Sequence, residues 1–154
     1  MDAIYGSAKR RFVLLRHELP ENAVRASHWD LMLESDGRLL TWELSTLPIA
    51  TVTTTFQSLG IRRLADHRLL YLDFEGHISG DRGYVRREDA GFVKQKMTGS
   101  REGYVDTALV GQHYLIELRL PSSTLVTNAR EVGKTELESC EVVRFDRQES
   151  NLDW

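Results

Sequence analysis

The 154-residue chain has one cysteine, Cys140, three prolines and only four lysines. A single cysteine excludes an internal disulfide and any cysteine-rich zinc site; Cys140 reads instead as a small buried hydrophobe. No apolar run approaches the ~20 residues that a membrane helix needs, and residues 1–11 contain no apolar signal-peptide core. The expected location is therefore cytoplasmic. There is no Gly-x-x-x-x-Gly-Lys phosphate loop, no dinucleotide fingerprint and no nucleophile elbow. Strong positive charge is missing too: the formal net charge is −3, which argues against a nucleic-acid binder held by bulk charge alone.

What is present is ordinary for a folded domain, with 41% hydrophobic and 28% charged residues. The length allows one domain with a real core and little room for two. The basic residues are unusual in kind, sixteen arginines against four lysines. That bias is either compositional or a sign of phosphate recognition, for which the planar guanidinium fork is suited.

The most informative stretch is Ser27-His28-Trp29-Asp30-Leu31-Met32-Leu33-Glu34. Trp29, Leu31 and Leu33 share one face of a strand, and His28, Asp30, Met32 and Glu34 share the other. Asp36-Gly37 is a strong hairpin signal, so residues 39–44, with Trp42, should return as the partner strand. Residues 11–17 read as a central strand because both faces are apolar. Residues 68–75 alternate as a further strand, 76–83 form a glycine-rich bend, and 91–97 could pair with 104–110. Residues 112–120 and 140–147 are the last strand candidates, and the role of 52–56 is open. No long helix or internal repeat is visible. The expected fold is a mostly β, small antiparallel β-barrel with little helix, occupying 11–147 between a loose terminus (1–10) and a tail (148–154).

His17 ends the first strand and His28 begins the second. If these strands are neighbours, both imidazoles and Asp30 meet at one end of the sheet. Two histidines and a carboxylate suit a divalent ion such as manganese, zinc or iron, with positions left open for substrate or water. Taken singly, each histidine is more often a surface or satisfied core residue. His67 and Tyr71 would lie on one strand face and could donate to a phosphate oxygen or leaving group; the plain alternative is a loop histidine and an interface tyrosine.

The runs Arg11-Phe12-Val13-Leu14-Leu15-Arg16-His17 and His28-Trp29-Asp30-Leu31-Met32-Leu33-Glu34, followed by Asp36-Gly37 and Trp42, resemble the 3′-phosphoesterase module of bacterial DNA ligase D. So do Asp66-His67, Tyr71 and Asp73-Phe74-Glu75-Gly76, with Ile78, Gly80 and Gly83 after them. The likeness covers about residues 11 to 85. It implies a small β-barrel, a manganese-type ion held by His17, His28 and Asp30, and His67 and Tyr71 beside the phosphate. It implies trimming of DNA or primer-template RNA 3′ ends to a ligatable 3′-OH in end-joining DNA repair, by a stand-alone, divergent relative working with separate ligase or polymerase proteins. One departure is chemical: the family's arginine two residues after the aspartate is Met32 here, and methionine cannot grip phosphate. Arg16, Arg25 and Arg68 are the substitutes at hand. Met32 also keeps open a non-catalytic barrel that binds metal or a nucleic-acid end. The modest charge keeps open a phosphoesterase acting on a small phosphorylated molecule.

Overall fold

The computed structural model describes residues 9–49, 54–55, 61–96, 103–122 and 140–148. Most of the 1–10 terminus, the 148–154 tail and the 52–56 segment lie outside the described residues. The described chain is almost entirely β. Its strands are β1 (Arg11–Glu18), β2 (His28–Ser35), β3 (Arg38–Leu44), β4 (Thr54–Thr55) and β5 (Ile61–His67), then β6 (Gly76–His77), β7 (Tyr84–Lys96), β8 (Tyr104–Gly111), β9 (Tyr114–Pro121) and β10 (Glu141–Arg147). One short 3-10 helix, Leu69–Leu72, separates β5 from β6. Among the described residues no helix is long and apolar enough to cross a membrane.

All pairings are antiparallel, in the order β4-β10-β9-β8-β7-β1-β2-β3-β5, with β6 added on β7. The strand expected at 11–17 is central, between β7 and β2. The Asp36-Gly37 turn has φ of 51° and 79°, the doubly positive backbone of a tight hairpin. It sets Leu31 opposite Trp42 and Asp30 opposite Glu43.

Both faces of the sheet are covered. The larger core joins Phe12, Leu14, Leu31, Leu33, Leu40 and Trp42 to Leu109, Ile116, Leu118, Val142 and Phe145. Strands β3 and β10 are far apart in the sheet order yet meet in this cluster, so the sheet curls around it like a barrel wall. The smaller core, Val13, Leu15, Met32, Leu39, Leu72 and Val85, lies on the opposite face with Tyr71, Phe74 and Ile78 packed on it. Cys140 is fully buried in the larger core, as a small hydrophobe should be.

The strand expected over 68–75 is not formed. Residues 69–72 make a 3-10 turn instead, with Leu72 buried and Leu70 exposed. Alternation of leucines looks like a strand signal, but only Leu72 has core to meet.

Candidate metal centre and its cavity

Register brings the first two histidines together. In the β1–β2 ladder His17 stands directly opposite His28 and Leu15 opposite Asp30. The two imidazole centroids are 4.9 Å apart. Asp30 Oδ2 lies 3.6 Å from His17 Nδ1, and Asp30 Oδ1 lies 3.3 Å from His28 Nε2. One ligand atom from each of the three residues falls within 4.8 Å of the others.

The tautomers follow from the outer ring nitrogens. His17 Nε2 is 2.7 Å from the Arg82 carbonyl, and His28 Nδ1 is 2.9 Å from the Ala26 carbonyl. A carbonyl only accepts, so each of these nitrogens carries the proton and donates. In the neutral rings His17 Nδ1 and His28 Nε2 are then the lone pairs, and both face the Asp30 carboxylate. Backbone carbonyls that fix imidazoles in this manner are the usual support for metal-binding histidines.

The donor set fits a divalent ion. Asp30 is 4% exposed, and its Oδ1 receives no hydrogen bond although it is buried. A tetrahedral ion with ~2.1 Å bonds would hold its ligands ~3.4 Å apart. The two ring nitrogens lie 3.6 and 3.3 Å from separate Asp30 oxygens, each close to that spacing. Without an ion, protons take its place. Burial works to raise the Asp30 pKa, but the adjacent His17 and His28 rings, once protonated, prevail and lower it to about 2. Burial likewise works to lower the His28 pKa, and is outweighed by the adjacent Asp30 carboxylate, the Ala26 carbonyl and the Glu43 charge, which raise it.

The loop from Leu19 to Ser27 carries the Ala26 carbonyl and is pinned at both ends. The Leu19 amide donates to Ser27 Oγ at 2.8 Å, and the Arg25 guanidinium pairs with Glu43 on β3. Glu43 Oε1 also pairs with Arg62 at 3.3 Å and stands 3.9 Å from His28 Nε2.

His17 and Asp30 open into a cavity of about 440 Å³, whose wall also includes Arg25, Met32, His67, Tyr71 and Arg82. His67 and Tyr71 therefore share the cavity with the histidine–aspartate group, although through a helical turn and not a strand. One turn brings residues 67 and 71 side by side, with ring centroids 5.8 Å apart. His67 Nδ1 donates to the Ala65 carbonyl at 2.9 Å, leaving its Nε2 as the acceptor.

The three candidate phosphate-binding arginines separate. Arg25 is on the cavity wall. Arg16 is not: it lies between Leu15 and His17 in β1, so its side chain emerges on the other face. There it stacks 4.2 Å over Trp29, its cross-strand partner, and pairs with Glu18 at 2.9 Å. Arg68 is exposed at the start of the 3-10 turn and outside the cavity lining. Sequence reasoning missed Glu43 and Arg82. Glu43 was findable, because the Asp36-Gly37 hairpin register puts it opposite Asp30; nothing local flags Arg82.

Neither a protein-family model nor a curated protein matches this chain.

Proposed function

We propose that this protein is a metal-dependent phosphoesterase acting on nucleic-acid 3′ ends in DNA repair. The observation that carries the reading is the convergence of His17 Nδ1 and His28 Nε2 on the buried Asp30 carboxylate, with His17 and Asp30 lining a cavity shared with His67 and Tyr71. The residues holding the ion would be His17, His28 and Asp30. The chemistry supplied there by a manganese-type ion, when bound, would be polarisation of a phosphoryl oxygen and neutralisation of charge on the phosphate. His67, fixed through Nδ1, offers Nε2 to take a proton from attacking water or, once protonated, to return one to the leaving oxygen. The Tyr71 hydroxyl donates to a phosphoryl oxygen. The apolar wall formed by Leu15, Leu19, Val24 and Ile78 limits water around the reacting group.

Met32 supports a second reading, a non-catalytic barrel that binds metal or a nucleic-acid end. Its side chain is 2% exposed within the smaller core and also forms part of the cavity wall, where it offers no charge. A manganese-dependent assay on a 3′-phosphate primer-template, beside a free nucleotide and a generic phosphodiester, separates the readings. Release of phosphate from the primer-template alone is the expected result. Faster release from the small molecule points to a small phosphorylated substrate, and no release with metal bound leaves the binding barrel. Met32→Arg should raise the primer-template rate by about tenfold, since one charge-assisted hydrogen bond contributes ~1.5–3 kcal/mol.

A further inference from the structure

We propose that Arg82 is the phosphate-gripping residue of this cavity, and that the phosphate it takes is the terminal monoester of a nucleotide. The inference rests on the phosphoesterase reading for its substrate, but the anion site itself stands on separate observations.

The first is that Arg82 is uncommitted. Its Nε–H donates to the Ser79 carbonyl at 2.8 Å and its Nη2 to Ser79 Oγ at 3.3 Å. No carboxylate among the described residues pairs with it. Arg25, the other arginine on the cavity wall, is spent on Glu43. Two bonds to Ser79 orient the guanidinium plane while the remaining N–H groups stay available. That is the state in which a guanidinium meets a phosphate without first breaking an ion pair.

The second is position. The Arg82 carbonyl is the acceptor that holds His17, so its backbone is tied to the metal group by one hydrogen bond. The turn carrying it is locked. Gly80, Asp81 and Gly83 all have positive φ, at 76°, 59° and 92°. A Cβ at Gly83 would lie 2.2 Å from the Glu18 carbonyl oxygen, so only glycine lets the turn close on the end of β1. Arg82 therefore forms part of the cavity wall from this turn, with Asp81 beside it and His17, His67 and Tyr71 in the same lining.

The third is what flanks it. Leu19, Ala23, Val24 and Ile78 form an apolar wall in the same cavity, and Val24 is fully exposed at 104%. An inorganic anion has no use for such a wall. A phosphate carrying a sugar and a planar base does, because the base can lie on apolar surface while the phosphate reaches Arg82. The volume, about 440 Å³, is within the ~300–1,000 Å³ usual for small-ligand sites.

The test is binding, measured by titration calorimetry on the full chain with inorganic phosphate and with a nucleoside 3′-monophosphate, both without metal and with manganese. The wild type, Arg82→Gln, Arg82→Lys and, as a surface control, Arg68→Gln are compared. Arg82→Gln should weaken both ligands ten- to a hundredfold. Arg82→Lys should fall between, because a lysine keeps the charge and loses the fork. Arg68→Gln should match the wild type. The nucleotide should bind more tightly than phosphate in every variant, since the apolar wall is untouched. Manganese affinity should be the same in all, because the Arg82 carbonyl survives each substitution. Melting temperatures and circular dichroism verify folding, and Arg82→Lys carries the comparison if Arg82→Gln does not fold. Unchanged phosphate affinity in Arg82→Gln, or in Arg82→Lys if it must stand alone, overturns the proposal. So does a wild type that binds neither ligand. If manganese does not bind the wild type but phosphate binding still depends on Arg82, the metal reading falls and the anion site remains.

Discussion

Asp30 and Asp89 are the same residue type, on strands that both flank β1, and almost equally buried at 4% and 2% exposure. Their surroundings are opposite. Asp89 is saturated by backbone amides. Its Oδ1 accepts from Ala90, Gln112 and His113 at 2.9, 2.8 and 3.0 Å, and its Oδ2 from Tyr114 at 2.9 Å. Gly111 makes room for it, since a Cβ there would lie 2.1 Å from Asp89 Oδ2. Asp89 thus closes the turn between β8 and β9 and has no capacity left. Asp30 faces the inner nitrogens of two imidazoles whose outer nitrogens are held by backbone carbonyls, and no backbone amide among the described residues donates to it. A buried carboxylate with its donors in place is architecture. One set between two imidazoles needs positive charge, supplied by ring protons or by a metal ion, because burying an unneutralised carboxylate is costly.

The sharpest way to break this contrast is to delete each carboxylate. Asp30→Ala should abolish manganese binding and lower any phosphoesterase rate by at least ~1,000-fold, about 4 kcal/mol on the barrier. The metal-free fold should survive, since among the described residues no backbone group bonds to the Asp30 side chain. Calorimetric metal titration and the primer-template assay check this. Undiminished manganese affinity in Asp30→Ala would remove the basis for the metal centre.

Asp89→Asn should do the reverse. The amide nitrogen that replaces one oxygen would face a backbone N–H, and charge-assisted bonds contribute ~1.5–3 kcal/mol each. We expect a loss of roughly 3 kcal/mol in urea unfolding with manganese affinity unchanged. A variant as stable as the wild type would mean that the β8–β9 turn holds without its carboxylate.

Acid sharpens the comparison with no mutation at the turn. The Asp30 pKa falls from 3.8 unfolded to about 2 folded. A depressed carboxylate stabilises the fold above its unfolded pKa, and that contribution disappears as pH drops through the folded value. In metal-free protein it amounts to on the order of 2 kcal/mol. The His28 pKa is raised, so its contribution is complete below the ordinary histidine value and is lost as pH climbs through the higher folded one. Stability of the metal-free wild type should therefore decline at both ends relative to Asp30→Asn, the acid arm between about pH 4 and 2. Parallel curves for the two proteins would show that the cluster is not coupled.

The contrast also explains how far the sequence could be read. Alternation in 11–17 and 28–34 and the Asp36-Gly37 turn are local signals, and they fixed strands, faces and the His17–His28–Asp30 grouping. The side of Arg16 was legible by the same parity, since it alternates with His17. Leu69–Leu72 was misread because a leucine spacing of two fits a strand as well as a tight turn whose outer leucine is left in water. Asp89 was invisible. It sits in the polar run Arg86-Arg87-Glu88-Asp89, and three of the four amides it serves are more than twenty residues away. Function that depends on local spacing could be seen; function or architecture made by long-range closure could not.

The smallest effect concerns how each carboxylate's surroundings are held. Asp89 is served by amides in a turn between paired strands. The Asp30 site depends on a loop, because the Ala26 carbonyl that sets the His28 tautomer lies on the Leu19–Ser27 connection, next to Arg25. The Arg25–Glu43 contact ties that connection to β3. Arg25 is half exposed at 49%, so the pair itself contributes at most ~1 kcal/mol to stability. Its weight should appear elsewhere. In Arg25→Ala the carbonyl is less well placed, His28 spends part of its time with the wrong nitrogen toward Asp30, and manganese affinity should fall several-fold with the unfolding midpoint nearly unmoved. Arg25→Lys should recover part of it, since an ammonium can still reach Glu43 without the planar fork. Nitrogen-15 spectra of the histidine rings read the tautomer directly. A His28 ring that keeps its proton on Nδ1 in Arg25→Ala would show that the loop is held by the Leu19–Ser27 hydrogen bond and needs no ion pair.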